Sequence, residues 1–332
     1  MRIDYPEYYH QFRCIAAACP DSCCKEWEVD VDAVSAEYYR SLQSPLGDSL
    51  RQVLQDTEDG TVMQICDGRC PMWRTDGLCR IQAELGQDAL CKTCREFPRL
   101  RHDYGDFVEL GLELSCPEAA RLILSSDGKW CSETCDGGET PDYDRESMAI
   151  LQSSRDEALR LLADSRYGLF EALAIILYRS HSVQAALDGG AHTKLDPQQC
   201  LTGARKYAGQ GDMAAIRSFF EGLEILTDQW KRRISQLPEP ACHTEKLTAV
   251  ARYMIQRYWL QAIADYDLVC RVKLVVIACL LIGSLGGDVT RTAQLFSKEI
   301  ENDPDNIEAI LDAAYASQAF TDSNLLSLLL QS

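Results

Sequence analysis

The segments CIAAACPDSCC (residues 14–24) and CDGRCPMWRTDGLC (residues 66–79) hold seven cysteines between them. Cys91 and Cys94 follow with the spacing C-x2-C, and Cys116 directly precedes Pro117. Metal ions need several thiolates converging within about 2.3 Å, and short loops provide them at a low entropic cost. These segments therefore predict a domain that folds around a cysteine-ligated metal centre.

The distribution of all 16 cysteines along the chain supports this interpretation, because 12 of them fall at or before Cys135. The first residues contain no apolar stretch of the kind found in signal peptides, so a reducing, cytoplasmic compartment is expected and a disulfide framework is not. Cys131 and Cys135 are left open between ligation and packing. The cysteines that stand alone in helical segments are expected to be buried small hydrophobes: Cys200, Cys242, Cys270 and Cys279.

The overall composition excludes some classes of partner. The chain has 332 residues, 46% of them hydrophobic, and 51 acidic against 33 basic residues give a net charge of −18. Nucleic-acid binding, which depends on clustered Lys and Arg, is not expected. An acidic surface suits a basic target such as a lysine-bearing protein, and solubility alone accounts for it equally well. The apolar window Leu274–Gly283 is short for a bilayer and predicts a buried helix rather than a membrane span.

Residues 1–135 lack long periodic segments, which predicts a cysteine-rich domain of irregular loops and short helices. One helix is expected from Asp32 to Leu54, where Val34, Tyr38 and Leu42 recur at helical spacing. A second is expected to start near Cys116, with Pro117 in its first turn. Residues 126–144, rich in Asp, Gly, Ser and Thr, predict an exposed linker.

Residues 136–332 predict an all-α helical bundle, so the fold class is mainly α with a metal-centred N-terminal domain. A long periodic run from Thr244 to Leu285 is expected to break near Asp265–Asp267. Four residues are expected to begin other helices as N-caps, in one case just before a proline at the first helical position: Asp212, Asp288, Asp303 before Pro304, and Thr321.

The choice of metal rests on the ligand type and spacing. No histidine lies inside the cysteine groups, and the irregular spacing matches neither zinc-finger nor zinc-ribbon patterns. Iron–sulfur clusters take four cysteines with looser spacing, so a cluster is favoured and zinc is kept as the alternative. The sequence contains no C-x3-C-x2-C, no G-x-G-x-x-G after a strand and no Walker A motif.

A series of short motifs follows the first part of the chain in order: Tyr5-Pro6, Tyr9, Phe12-x-Cys14, Cys19-x3-Cys23-Cys24-x2-Trp27, Gly77-Leu78-Cys79-x-Ile81-Gln82, Leu85-Gly86, Thr93-Cys94, Phe97-Pro98-Arg99 and Leu114-Ser115-Cys116-Pro117-Glu118-Ala119. Together these motifs resemble the flagellin lysine-N-methylase family, within the wider group of zinc- or iron-chelating cysteine domains. The resemblance is dense from Met1 to about Leu124 and returns at Phe296-x-Lys298-Glu299-Ile300-Glu301.

This resemblance implies methyl transfer from S-adenosylmethionine to lysine ε-amines of flagellin by a protein with an iron–sulfur cluster of the [4Fe-4S] type. The family's recurring cysteines correspond to eight positions here: Cys14, Cys19, Cys23, Cys24, Cys70, Cys79, Cys94 and Cys116. Cys66 and Cys91 fall beside that set. Eight thiols exceed the four that one cluster needs, so either a second metal binds or some of the thiols are structural.

A second hypothesis comes from a different class: a non-catalytic iron–sulfur or zinc-binding module, or an electron-transfer module. The absence of a recognisable S-adenosylmethionine motif favours it. Five aromatic residues crowd the first cysteine segment and are candidates either for the walls of a donor site or for ordinary core packing: Tyr5, Tyr8, Tyr9, Phe12 and Trp27. The sequence identifies no catalytic base.

Overall fold

The computed structural model describes residues 1–25, 27–191, 196–207, 209–236 and 244–331. The chain is mainly helical, as the sequence predicts. Cys242 lies outside the described residues. The division into domains at residue 135 stays a prediction.

Two helices form where the sequence predicts one between Asp32 and Leu54. Helix α1 is Ala33–Ser41, capped by the Asp32 carboxylate, which accepts from the Ser35 amide, and α2 is Pro45–Val53. Ser44 and Pro45 form an N-cap and first-turn proline that start the second helix afresh. The predicted apolar face is also wrong, because Val34 is 78% exposed and the buried side chains are Ala36 and Tyr39.

Strands, which the sequence did not predict, build a four-stranded sheet in the order β5-β6-β1-β7. Its members are β1 (Arg2–Pro6), β5 (Arg99–Asp103), β6 (Phe107–Leu112) and β7 (Trp130–Thr134). Strand β1 runs parallel to β6 and antiparallel to β7, with Tyr5 opposite Cys131. The predicted linker at residues 126–144 is therefore wrong over β7, which is an edge strand with mostly exposed polar side chains and so resembles a loop in composition.

A smaller three-stranded sheet lies between the cysteine segments, in the order β2-β4-β3. Strands β2 (Val29–Val31), β3 (Leu54–Asp56) and β4 (Thr61–Met63) have three residues each. Together with α1, α2 and two short helices, α3 (Arg80–Leu85) and α4 (Lys92–Glu96), they enclose a separate apolar cluster, here called the small core. Its buried residues are Val29, Val31, Ala36, Tyr39, Leu46, Leu50, Met63, Cys70, Met72, Ile81, Leu90 and Cys91.

The rest of the described chain is helical and shares one large apolar cluster, here called the helical core, which also takes in Phe107, Leu112 and Leu114 next to the four-stranded sheet. Its helices are α5 (Pro117–Ser125), α6 (Arg145–Leu162), α7 (Leu169–Leu187), α8 (Pro197–Tyr207), α9 (Met213–Glu221), α10 (Asp228–Ser235), α11 (Thr244–Tyr258), α12 (Leu268–Leu285), α13 (Val289–Phe296), α14 (Pro304–Ala316) and α15 (Asp322–Gln331).

The predicted helix starts in this part are confirmed. The side chains of Asp212, Asp288 and Asp303 cap α9, α13 and α14, and Pro304 occupies the first turn of α14. Thr321 Oγ1 accepts from the Asn324 amide at 3.3 Å at the start of α15. The run from Thr244 breaks where predicted, since α12 begins after the Asp267 cap.

Helix α12 lies at the centre and packs against α7, α11, α13, α14 and α15. By length and composition it is the one helix among the described residues that could cross a membrane, but 89% of it is buried inside the protein, as in the core helix of many globular folds. It buries two charges. Arg271 pairs with Asp265 at 2.8 Å, and Lys273 donates to the Ala314 carbonyl at 2.8 Å.

Candidate metal centre

The first cysteine loop joins β1 to β2 and is shaped by two single turns of 3-10 helix. The second of these, Ala16–Ala18, turns the chain back so that the Cys19 amide donates to the Ala16 carbonyl at 3.0 Å. Ala16 takes a φ of 47°, a strained left-handed conformation for a residue with a side chain. This conformation helps the chain to turn between Cys14 and Cys19, within the loop that also carries Cys23.

A tight turn brings Cys70 against the first loop. Cys66 and Arg69 exchange two backbone hydrogen bonds, of 2.8 and 3.0 Å, and the central residues Asp67 and Gly68 have φ angles of 52° and 69°. Two consecutive positive φ values are typical of the turns that favour Asp-Gly and Asn-Gly pairs. The chain leaves this turn so that the Cys70 amide donates to the Cys24 carbonyl at 2.8 Å.

Two more cysteines are held at the start of α4. Cys91 is the N-cap residue and Cys94 lies three positions further, so both thiols project from one side of the first turn. The Asp32 carboxylate, which caps α1, also accepts from the Lys92 amide at 2.8 Å. This one side chain fixes α4, and with it Cys91 and Cys94, against the small core.

Thiol contacts connect these three segments. Hydrogen bonding to Cys23 and then to Cys70 lowers the pKa of Cys24 well below its usual range and raises the pKa of both partners. Cys91 and Cys94 form a second hydrogen-bonded pair, in which the pKa of Cys91 falls to about 7 and that of Cys94 rises. Each set therefore contains one thiol poised to ionise beside thiols that stabilise its thiolate.

The remaining thiols border these pairs. Burial raises the pKa of Cys79, with smaller contributions from Cys24 and Cys91. Burial likewise raises the pKa of Cys116, the N-cap residue of α5, to about 11, with contributions from Cys19 and Cys14. The structure therefore brings the eight cysteines expected from the family resemblance into one region. Cys91, which the family resemblance left beside that set, lies in the same region and interacts with Cys94.

The donor set can be tested against a metal. No three His, Cys, Asp or Glu side chains converge into a complete ligand shell anywhere in the described ranges. The thiols lie instead in hydrogen-bonded groups of two and three, and those protons must leave for a metal to bind. A donor set made only of thiols has the chemistry that iron–sulfur clusters and structural zinc require. In this respect the residues fit the expected group.

Cysteines outside this region lie in other surroundings. Cys200, Cys270 and Cys279 are buried in the helical core or beside it, as expected for packing residues. Cys131 lies on β7 opposite Tyr5, and the Cys135 amide donates to the Met1 carbonyl at 3.0 Å. The cysteines at or before Cys135 are free thiols.

The five aromatic residues of the first segment divide between the two roles considered for them. Tyr8 and Phe12 are buried in the helical core, which is the packing role. Tyr5 and Tyr9 lie against His10, with Tyr5 bonded to Glu133. Two of the five rings have a charged group over them: the Lys298 ammonium lies 5.0 Å from the Trp27 ring centroid, and the Arg99 guanidinium lies 5.2 Å from that of Phe12.

The junction around Lys298 was not predicted from the sequence as part of the site. Ser297–Glu301 forms a π-helical turn in which every residue is buried, and such turns are common at functional sites. Lys298 pairs with Asp21 at 3.4 Å, in the loop between Cys19 and Cys23. Burial opposes ionisation of Asp21, but Lys298 and other donors lower its pKa overall. The motif that returns late in the sequence therefore contacts the first cysteine loop directly.

A second buried network, of hydrogen bonds and an ion pair, lies next to the loop that carries Cys116. Glu301 accepts from the Tyr258 hydroxyl at 3.0 Å and from the Tyr253 hydroxyl at 3.3 Å. Arg257 lies 3.5 Å from Glu301 and donates to Tyr253 at 2.6 Å. The Tyr253 hydroxyl also accepts from the amide of Leu114, so α11 is tied to the loop that carries Cys116.

Comparisons with known proteins place the chain. It is 33% identical over 193 residues to the lysine-N-methylase of Salmonella typhimurium, which covers 55% of this chain and 44% of that protein. It is also 33% identical over 130 residues to the flagellar biosynthetic protein FliU of Salmonella muenchen, covering 36% of this chain and 75% of FliU. The chain belongs to the flagellin lysine-N-methylase family.

Membership of the flagellin lysine-N-methylase family confirms the resemblance carried by the cysteine motifs. The lysine-N-methylase of Salmonella choleraesuis gives the same identity, also over 193 residues. The chain spans 44% of the length of each of these two lysine-N-methylases. No family model matches the sequence, and no solved structure matches the chain.

Proposed function

We propose that the chain transfers methyl groups from S-adenosylmethionine to lysine ε-amines of flagellin and carries a cysteine-ligated [4Fe-4S] cluster. The relationship to the lysine-N-methylases, at 33% identity over 193 residues, is the observation that carries the proposal. The name of FliU supports the flagellar connection. The free thiols at or before Cys135 suit a reducing, cytoplasmic compartment.

The thiols that would hold the cluster are those drawn together by the loops described above. The Cys23–Cys24–Cys70 group and the Cys91–Cys94 pair are the leading candidates, since each set is already in hydrogen-bond contact. Cys14, Cys19, Cys79 and Cys116 border them. A bound cluster supplies thiolate-held iron, which can carry electrons or act as a Lewis acid. Zinc on the same thiols would be structural.

The acceptor lysine must lose a proton before it attacks the methyl group, because a free lysine has a pKa near 10.4. Burial against apolar and aromatic surface lowers that pKa. Two aromatic residues near the thiols, Trp27 and Trp73, already have an ammonium over the ring, from Lys298 and Lys25 respectively. We assign Trp27 the role of lining the acceptor side of the site. A residue that takes the proton is not assigned.

The test is methylation of flagellin by protein purified without oxygen, with S-adenosylmethionine as the donor. We expect a mass gain of about 14 Da for each methyl group added to a lysine. Cys24→Ser should abolish the gain, while the matched variant Cys200→Ser, at a thiol buried in the helical core, should retain it. A cluster-loaded chain that leaves flagellin unchanged in mass contradicts the proposal.

The metal itself has a separate readout. Protein made anaerobically should be brown, absorb broadly near 400 nm and contain iron and sulfide in a ratio near one to one, as a [4Fe-4S] cluster requires. Colourless protein with stoichiometric zinc would instead indicate a structural site. Colourless protein with no S-adenosylmethionine binding would favour the non-catalytic module.

A further inference from the structure

A cleft lies between the first cysteine loop and helices α10 and α13. Pro20, Asp21 and Lys25 form one wall, and residues of α10 and α13 form the other. The cavity volume is about 560 Å³, within the range of roughly 300–1,000 Å³ found for small-molecule sites. The cleft is therefore large enough for a nucleoside-sized ligand next to the candidate metal centre.

The cleft extends along α10 into a second cavity of about 410 Å³. The two cavities share Gln229, Arg232, Arg291 and Leu295, so they form one continuous groove. Cys19 and Cys23 flank Asp21 in sequence, which places one end of this groove beside the first thiols.

The charge of the groove differs from that of the protein. Four bases line the first cavity, against two acids, Asp21 and Asp228, whereas the whole chain has 33 basic and 51 acidic residues. The four bases are Lys25, Arg232, Arg291 and Lys298. Because the net charge of the chain is −18, a local excess of bases marks a surface that attracts an anionic group.

Arg291 is the best-oriented of these bases. Its guanidinium donates to Gln294 Oε1 at 2.9 Å and to Gln229 Oε1 at 2.7 Å. Both acceptors are neutral amides, and within the described ranges no carboxylate lies at ion-pair distance from this guanidinium. The charge is thus held in place without a direct ion pair, although Arg291 lies near enough to Asp21 to lower the pKa of that carboxyl. An arginine with its planar fork free of a direct ion pair can take a carboxylate.

We propose that this groove binds the α-amino-acid end of the methyl donor, with Arg291 and Arg232 taking its carboxylate. This inference rests on the proposed function. The donor carries a carboxylate together with ammonium and sulfonium cations, and the groove offers bases and acids side by side. The lining is mainly polar, with Leu226 and Leu295 as its larger apolar side chains beside the adenosine part. The same placement brings the donor next to the first cysteine loop.

The experiment is titration calorimetry on anaerobically purified protein with three probes: S-adenosylmethionine, S-adenosylhomocysteine and 5′-methylthioadenosine. The last probe lacks the amino-acid end. We expect Arg291→Gln and Arg232→Gln each to weaken binding of the first two probes about tenfold or more. Binding of 5′-methylthioadenosine should stay within a factor of about two of wild type. Arg232 is exposed, so its replacement leaves the fold intact.

The control variant is Arg205→Gln, at an exposed arginine that pairs with Glu171 between α8 and α7. It should bind all three probes as wild type does. Unchanged binding of S-adenosylhomocysteine in both Arg291→Gln and Arg232→Gln, with wild type binding normally, overturns the placement of the donor. An equal loss for 5′-methylthioadenosine also overturns it, because the lost contact would then not involve the amino-acid end. A wild-type protein that binds neither S-adenosylmethionine nor S-adenosylhomocysteine overturns the proposed function, and this placement with it.

Discussion

The small core and the helical core differ in what can hold them together. The helical core is organised around α12, of which 89% is buried, and includes apolar residues from every helix from α5 to α15. The small core rests on strands of three residues and includes two thiols, Cys70 and Cys91, among its buried side chains. A unit of this size buries too little apolar surface for independent stability, and small natural domains of this kind commonly rely on metals or disulfides. The two cores should therefore respond differently to metal loss.

The largest expected effect is the loss of a thiol that links the segments of the small core. Cys70→Ser should empty the metal site and unfold the small core, because a site that exists only in the folded state contributes its binding free energy to folding. The helical core should stay folded. The measurement is iron per chain on anaerobic protein, combined with amide hydrogen exchange in β2 and β4.

The same loss of metal is expected for serine substitutions at the other positions that the family resemblance and the thiol contacts indicate: Cys19, Cys23, Cys79, Cys94 and Cys116. Cys66 is exposed, and Cys66→Ser should keep the metal. Cys91→Ser distinguishes the family resemblance from the geometry, because the resemblance predicts that this variant keeps the metal, whereas the structure pairs Cys91 with Cys94. Full iron in Cys70→Ser together with an empty site in Cys66→Ser would show that the ligands were assigned to the wrong end of the turn.

The sequence predicted the helical core well and the small core poorly, for a physical reason. Asp212, Asp288 and Asp303 are N-caps whose signal lies within three or four residues, so the starts of α9, α13 and α14 could be predicted locally. Strands β1 and β6 pair over a separation of about a hundred residues, for which a single sequence carries no local signal.

The candidate site likewise has features that local sequence indicates and features that depend on long-range contacts. The cysteine motifs identified the region, because a dense set of thiols needs no tertiary information to be noticed. The contact of Lys298 with Asp21 and Trp27 could not be derived, since it joins residues from opposite ends of the chain. Cys91 was left outside for a different reason, because the family resemblance does not include it, although the C-x2-C spacing groups it with Cys94.

The second prediction concerns an ion pair that ties the four-stranded sheet to the helical core. Arg155 on α6 donates to both oxygens of Glu109 on β6, at 2.8 and 2.6 Å, and their side chains are 12% and 4% exposed. Glu109→Gln leaves a buried guanidinium without its anion and should cost about 3 kcal/mol in the free energy of unfolding.

Urea denaturation followed by circular dichroism measures this loss. The control is Arg166→Gln, at a pair with Asp164 in which the arginine is 74% exposed, and it should change stability by less than about 0.5 kcal/mol. Iron content should be the same in both variants. An iron loss in Glu109→Gln would mean that the sheet and the small core are coupled more closely than the separate apolar clusters indicate.

The third prediction uses His102, whose Nε2 is buried and has no hydrogen-bond partner among the described residues. Burial, and secondarily the charge of Arg257, lowers the pKa of His102 to about 4, from an ordinary value of 6.5. Between these two pH values the unfolded chain binds the proton and the folded chain does not, so this residue's contribution to stability is lost as the pH falls from 6.5 towards 4.

Replacing His102 with Phe should therefore reduce the loss of stability between pH 7 and pH 5 by about 2 kcal/mol. The measurement is urea denaturation of wild type and variant at both pH values. The same pH dependence in the two proteins would mean that folding does not lower the pKa of His102.

The fourth prediction, with the smallest effect, concerns substitutions at a thiol of the helical core. Cys200 is fully buried on α8, and burial raises its pKa, so its sulfur is an inert neutral thiol in apolar surroundings. Cys200→Ala should cost about 1 kcal/mol for the small cavity it leaves, and Cys200→Ser slightly more because a hydroxyl is more costly to bury than a thiol. Both variants should keep the iron content of wild type. Loss of iron in Cys200→Ala would mean that a cysteine in the helical core supports the metal, and the two cores would then not be distinguished by what their thiols do.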